Sequence, residues 1–215
     1  MFITFEGLDS SGKTTQARLL VDHLRVRAHA PVRFIREPGG TVISERLREI
    51  LLDKKYLELS EASELFLFSA SRAQLVRQVI HPALLRGEIV VCDRYYDSTT
   101  AYQGYGRGLD LATIRGINTL AAAGVVPDLT VLVNITIEEI EKRKHASKTE
   151  FDRMESAGRE FFARVHNGYL SMAAEEPKRF VVVDGMRSVD DIAQEIADVV
   201  DNRQHLLQKE GQKES

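Results

Sequence analysis

The stretch Glu6-Gly7-Leu8-Asp9-Ser10-Ser11-Gly12-Lys13-Thr14-Thr15 limits what this chain can fold into more than any other part of it. It follows Phe2-Ile3-Thr4-Phe5, a short apolar, β-prone run, and precedes residues 16–27, which read as an amphipathic helix. Gly7, Gly12, Lys13 and Thr14 fit the spacing of a phosphate-binding loop, in the strand–loop–helix setting that such a loop requires. The residue types follow from the physics. Glycines let successive backbone N–H groups turn inward around phosphate oxygens, and the new helix points its positive end at them. Lys13 can reach the outer phosphates, and the Thr14 hydroxyl can ligate Mg²⁺. The stretch therefore implies a nucleotide site.

The rest of the chain reads as alternating strands and helices. Val32–Arg36, Ile89–Asp93, Leu129–Asn134 and Phe180–Asp184 are apolar runs suited to strands, and the central ones are continuous enough to be buried on both faces. Glu37-Pro38-Gly39-Gly40-Thr41 is a strong turn signal, followed by a short helix over residues 44–52. Ser60 caps a longer helix running to about Ile80, which Pro82 and Gly87 then interrupt. Residues 97–109 are rich in Ser, Thr, Tyr and Gly, and residues 111–123 are helical. Thr136-x-x-Glu139 is a capping box, and residues 160–174 form another helix. Ser188-x-x-Asp191 caps the last helix, which runs to about Val200 before a polar tail over residues 202–215 that either frays or forms a loose helical extension. Such alternation predicts an α/β fold, a five-stranded parallel sheet with helices on both faces. Ligands in these sheets bind beyond the carboxyl ends of the strands, so the loop, Glu37, Asp93-Arg94 and Asn134 should converge.

Composition excludes several classes. At 215 residues the chain is long enough for one sizeable core, and residues 1–201 read as one domain. A net charge of −3 and no aromatic-interleaved basic stripe argue against nucleic acid, and no apolar run is long enough for a membrane helix. Cys92 is alone and flanked by apolar residues, so a reducing, cytoplasmic setting is expected. The six histidines have no metal-ligand spacing. Asp93 closes an apolar strand, where a carboxylate is costly unless it is paired or near a metal. It either helps organise Mg²⁺ or serves as a helix cap or salt-bridge partner. Residues 143–158 are highly charged with few apolar residues, which suggests a mobile, solvated excursion.

No Asn-Lys-x-Asp occurs, so the usual guanine-reading element of switch GTPases is missing, and no Leu-Ser-Gly-Gly-Gln of transporter ATPases occurs either. Four further stretches are more specific than the loop. They are Arg36-Glu37-Pro38-Gly39-Gly40-Thr41, Leu65-Phe66-Leu67-Phe68-Ser69-Ala70-Ser71-Arg72, Asp93-Arg94-Tyr95-Tyr96-Asp97-Ser98-Thr99-Thr100-Ala101-Tyr102-Gln103-Gly104, and Asp152-Arg153-Met154-Glu155. In this order they make the chain resemble thymidylate kinase of bacterial type, from Phe2 to about Val200.

The resemblance implies a P-loop kinase fold and transfer of the γ-phosphoryl group of Mg·ATP to dTMP. Gly7, Leu8, Asp9, Ser10, Ser11, Gly12, Lys13, Thr14 and Thr15 would hold ATP, with Arg187 against adenine, and Thr14 and Asp93 would serve the metal. On the acceptor side it implies that Phe68 stacks on thymine and Arg72 bonds a base carbonyl. Ser98, Thr99, Tyr102 and Gln103 would lie along the nucleoside, Glu37 and Pro38 would shape the site, and Arg94 would reach the acceptor phosphate. Asp9 would stand near the acceptor sugar and phosphate.

Phosphoryl transfer needs positive charge on the migrating group more than it needs a base. Ser10 occupies the loop position where some family members carry an arginine, so the resemblance shifts that charge to a lid at about residues 142–158. The candidates there are Arg143, Lys144, Lys148 and Arg153. The family also implies a homodimer.

Overall fold

The computed structural model describes residues 1–28, 30–147, 153–154 and 158–211. Its five strands are β1 (Phe2–Glu6), β2 (Val32–Arg36), β3 (Ile89–Asp93), β4 (Leu129–Asn134) and β5 (Phe180–Asp184). They form one all-parallel sheet in the order β2-β3-β1-β4-β5, with β1 central. Among the described residues no helix is long and apolar enough to cross a membrane.

Strand side chains alternate between faces, so each central strand must be apolar on both. Ile3 and Phe5 of β1, Val91, Val131 and Val183 pack against Leu20 and Leu24 of α1 (Lys13–Arg27) and Ile192, Ile196 and Val200 of α9 (Val189–Gly211). The other face has two sets. Phe2, Val90 and Cys92 meet Leu75 of α3 (Glu61–Leu75) and Ala122 of α6 (Leu111–Ala122). Leu132 meets Phe161, Val165 and Tyr169 of α8 (Arg159–Glu175).

One helix boundary changes. The chain remains helical past Ile80: α3 widens into a π turn over Val76–Ile80 and continues as α4 (His81–Leu85). Pro82 follows directly on the π turn, where the regular α-helical hydrogen-bond ladder is already interrupted, and Gly87 at φ +75° ends the segment. The Ser/Thr/Tyr/Gly-rich region, to which composition assigned no element, is helical, as α5 (Tyr96–Thr99) and a π segment over Thr100–Gly106. The last helix, α9, runs through Gly211, so the first part of the polar tail takes the helical one of its two expected forms. The expected short helix is α2 (Val42–Leu52), capped by the Thr41 hydroxyl.

The charged excursion also differs. Residues up to Ser147 complete α7 (Ile137–Ser147), while Arg153 and Met154 are buried rather than solvated. Lys148 lies outside the described residues. Arg153 Nη1 is 2.6 Å from Glu64 Oε2, and Arg153 Nε donates to Leu51 O at 2.8 Å. A carboxylate buried on α3 needs cationic partners, and Arg153 supplies one.

A second buried pair ties α5 to the sheet. Both Arg179 terminal nitrogens reach Asp97, at 2.6 and 2.9 Å, and Arg179 Nη1 also donates to Thr130 Oγ1 at 2.8 Å. Replacing Arg179 by Met strands the Asp97 carboxylate. A loss of about 3–5 kcal/mol in chemical denaturation is expected; a change below about 1 kcal/mol would mean that water replaces the pair.

Candidate active site

The loop leaving β1 is shaped by three left-handed residues, Ser10 (φ 65°), Gly12 (φ 95°) and Gly7 (φ 138°). A Cβ on Gly7 would stand 2.6 Å from the backbone oxygen of Val133, so only glycine lets the loop pass this close to β4. Lys13 enters α1 immediately after Gly12 and is buried, its Nζ 3.3 Å from Leu8 O and 3.4 Å from Asp9 Oδ1. Burial, then the nearby Arg94 charge, push the Lys13 pKa down, and Asp9 and Asp93 oppose them.

Thr14 Oγ1 donates to Asp93 Oδ2 at 2.5 Å. The other Asp93 oxygen, Oδ1, is buried and has no hydrogen-bond partner among the described residues. A hydroxyl joined to a carboxylate with a spare buried oxygen, beside a phosphate loop, suits Mg²⁺, which takes few protein ligands and leaves the rest to phosphates and water. The residues present therefore fit the metal.

Arg94, at the turn after β3, adopts φ 70°. This uncommon backbone turns its side chain toward the loop, where Nη2 meets Asp9 Oδ1 at 2.6 Å. Tyr102 donates its hydroxyl to Asp9 Oδ2 at 3.0 Å, so Asp9 is clamped between the two. Burial would lower the Arg94 pKa, but Asp9 and the surrounding groups hold it well raised. Below them, Arg94 Nη1 donates to Ser98 Oγ at 2.9 Å and to Tyr169 OH at 3.2 Å. Those hydroxyls rest on Glu6, which accepts from Ser98 at 2.6 Å, Tyr169 at 3.0 Å and the Tyr95 N–H at 2.7 Å. Burial raises the Glu6 pKa to about 7, and the Asp97 charge adds to the rise.

A cavity of about 260 Å³ opens between this cluster and α3. It touches Lys13, Thr14, Asp93, Asp9 and Arg94 at one end, and Phe68, Arg72, Ser98, Thr99, Tyr102 and Gln103 further along. Glu37, Pro38, Arg36, Arg48, Leu52 and Met154 complete the wall. Arg72 is fully buried. Its Nη2 lies 2.7 Å from Thr99 Oγ1 and 2.5 Å from Glu37 Oε1, and its Nη1 donates to Asn118 Oδ1 at 2.8 Å. Burial raises the Glu37 pKa and the Arg72 charge opposes it. Gln103 Nε2 donates to Glu64 Oε1 at 2.9 Å, the carboxylate that also holds Arg107 and Arg153.

Arg143 is placed differently from Arg153. Its Nη1 lies 3.3 Å from Ser11 O and 3.4 Å from Ser10 O, and Nη2 donates to Gly185 O at 3.0 Å. Arg187 is exposed, paired with Glu195 on α9, and does not line the cavity.

A family profile described as thymidylate kinase matches residues 5–196. The chain belongs to the thymidylate kinase family. It is 46% identical over 218 residues to the thymidylate kinase of Prosthecochloris aestuarii, covering 97% of each chain. It is 49% identical over 187 residues to that of Pelotomaculum thermopropionicum, covering 87% of this chain and 86% of the other. Among solved structures, the thymidylate kinase of Ehrlichia chaffeensis superposes with a TM-score of 0.76 at 35% identity, over 94% of this chain and 98% of the other. The sheet and loop are those of the P-loop NTPase fold. As a thymidylate kinase the chain is a nucleoside monophosphate kinase, a phosphotransferase that uses ATP with Mg²⁺.

Several of the site's groups carry no clear mark in the sequence. Glu6 carries the same signal as Asp93, a carboxylate closing an apolar strand, and could have been found by it. Glu64 and Tyr169 sit at ordinary core spacing on helices, and nothing local marks them.

Glu6 yields a pH prediction. A carboxyl whose pKa rises on folding binds its proton more tightly in the folded chain. Its stabilising contribution is therefore full below its unfolded value of 4.5 and is lost as pH rises toward 7. Urea titrations between pH 4.5 and 8 should show Glu6→Gln removing a decline on the order of 3 kcal/mol. The same slope in wild type and variant would show that Glu6 does not titrate there.

Proposed function

We propose that this chain catalyses in-line transfer of the γ-phosphoryl group of ATP to dTMP, giving dTDP, with the two phosphates meeting between Lys13 and Arg94. The observation that carries the residue-level reading is the single cavity from Lys13, Thr14 and Asp93 to Phe68 and Arg72, with Arg94 and Asp9 at the junction.

The donor phosphates belong on residues 7–15, where the backbone of Gly7, Leu8, Asp9, Ser10, Ser11 and Gly12 forms the cradle, Lys13 adds charge, and Thr14 and Thr15 open α1. Mg²⁺, when bound, would sit against Thr14 and Asp93 and add positive charge among the phosphate oxygens. Arg94, held in one orientation by Asp9, Ser98, Tyr169 and Tyr102, presents a fixed fork to the acceptor phosphate. Tyr102 and Gln103 flank the sugar, and Phe68 lies along the base. The Arg72 Nε, buried and without a hydrogen-bond partner among the described residues, is the donor left for a base carbonyl. Ser98 and Thr99 act one step back, holding Arg94 and Arg72.

Of the lid candidates, Arg143 serves transfer, because its fork already reaches the loop carbonyls of Ser10 and Ser11. Arg153 closes the acceptor side by holding Met154 in the cavity wall, with Glu64 and Leu51 O as its anchors. Arg187, in the turn after β5, is assigned to the adenine side. The protein acts in the cytoplasm as one kinase domain. Exposed Val42 and Ile43 on α2 and Phe66 on the adjoining α3 supply an apolar surface suited to a homodimer.

A coupled turnover assay with Mg·ATP across dTMP, dUMP, dCMP, AMP and thymidine tests the acceptor. Turnover should be fastest with dTMP, and dUMP should lag by about 10–200-fold, the discrimination a single methyl pocket allows. Fastest turnover on any other acceptor would overturn the assignment. The lid arginines separate in a second experiment. Arg143→Ala should lower kcat about 10²–10³-fold at unchanged Tm, whereas Arg153→Ala should lower Tm because Glu64 loses a partner. The reverse pattern would exchange their roles.

A further inference from the structure

Asn118 is a buried amide on the apolar face of α6, in a row with Ile114, Ala121 and Ala122. An amide there is costly unless its polar atoms are satisfied. Both are. Oδ1 accepts from Arg72 Nη1 at 2.8 Å, and Nδ2 lies 3.0 Å from Thr100 Oγ1 and 3.3 Å from Tyr96 O. Only one orientation of the amide satisfies all three contacts, because the flipped form would point an NH₂ at the guanidinium, which has no acceptor.

The guanidinium is planar, and holding both terminal nitrogens fixes the direction of its Nε–H. Thr99 and Glu37 hold Nη2, from the segments that follow β3 and β2. Among the described hydrogen bonds, Nη1 has Asn118 alone, from a helix that contributes nothing to the cavity wall. With both ends held, Nε is the one nitrogen of Arg72 left without a hydrogen bond among the described residues.

We infer that Asn118 is a positioning residue for acceptor recognition: it holds the Arg72 guanidinium so that its Nε–H is aimed at the base of dTMP, without itself touching the nucleotide. This rests on the reading of Arg72 as the base-recognising group. Asn118 also borders a separate cleft of about 440 Å³ shared with Thr100 and Met172, so its truncation opens onto space that water can enter.

The test is steady-state kinetics on the intact enzyme with the variants Arg72→Ala, Asn118→Ala, their double variant and Asn118→Asp. Asn118→Ala should raise the KM for dTMP about tenfold or more, the worth of one bond to a charged group, and leave the KM for ATP within about twofold. The double variant should be no worse than Arg72→Ala, because a residue acting through Arg72 has nothing left to position. Asn118→Asp has the same shape and keeps an oxygen facing Arg72 but sets its other oxygen against Tyr96 O, so its Tm should fall while its KM for dTMP stays within about twofold of wild type. Equal rises in both KM values for Asn118→Ala, or additive losses in the double variant, would make Asn118 structural and overturn the assignment. A tenfold rise in Asn118→Asp would do so even if Asn118→Ala failed to fold. If Arg72→Ala leaves the KM for dTMP unchanged, the base-recognition reading falls instead, and that result is separate from the others.

Discussion

The parallel register between β1 and β3 underlies the whole site. Phe5 stands opposite Asp93, and the Arg94 N–H donates to Phe5 O at 2.9 Å, so the two central strands end at the same height. The phosphate loop leaves one strand while Asp93-Arg94 leaves the other. The Thr14–Asp93 bond and the Asp9–Arg94 pair follow from that level ending. Slipping the register by one residue would turn Asp93 to the opposite face and leave the Thr14 hydroxyl without its carboxylate.

Around this junction the protein is organised by buried carboxylates, each facing its own cation or hydroxyl donors. Glu6 holds the hydroxyls that orient Arg94, Glu37 faces Arg72, Glu64 gathers Gln103, Arg107 and Arg153, and Asp97 takes both ends of Arg179. Buried ion pairs add little net stability, since desolvation offsets most of the attraction. Their benefit here is geometric. A guanidinium fixed at two nitrogens has one direction left to point, which is what recognition of a phosphate or a base carbonyl requires. Leaving Glu6 with a pKa near 7 is the energetic cost of building such a support inside the core.

Much of this was legible along the chain. All five strands are where their apolar runs predicted, because strands buried on both faces must be apolar throughout. The loop spacing, the Thr136 and Ser188 caps and the turn at Pro38 were local signals that local geometry honoured. The misreadings share a cause. Pro82 appeared to stop a helix that a π turn carries past it, and Arg153 appeared solvated because nothing beside it in sequence reveals Glu64, far away on α3.

By itself, then, the sequence determined the sheet, the glycine loop after β1 and the residue types that line the cavity, since each rests on periodicity, glycine chemistry or contiguous motifs. The tertiary structure alone decided which charges face the cavity and which face one another. Arg72 and Arg94 line the cavity while Arg179 is consumed within the core, and Arg143 faces the loop while Arg153 turns away to Glu64. A charged side chain's role is set by what surrounds it once water is excluded, and those neighbours come from segments far apart along the chain.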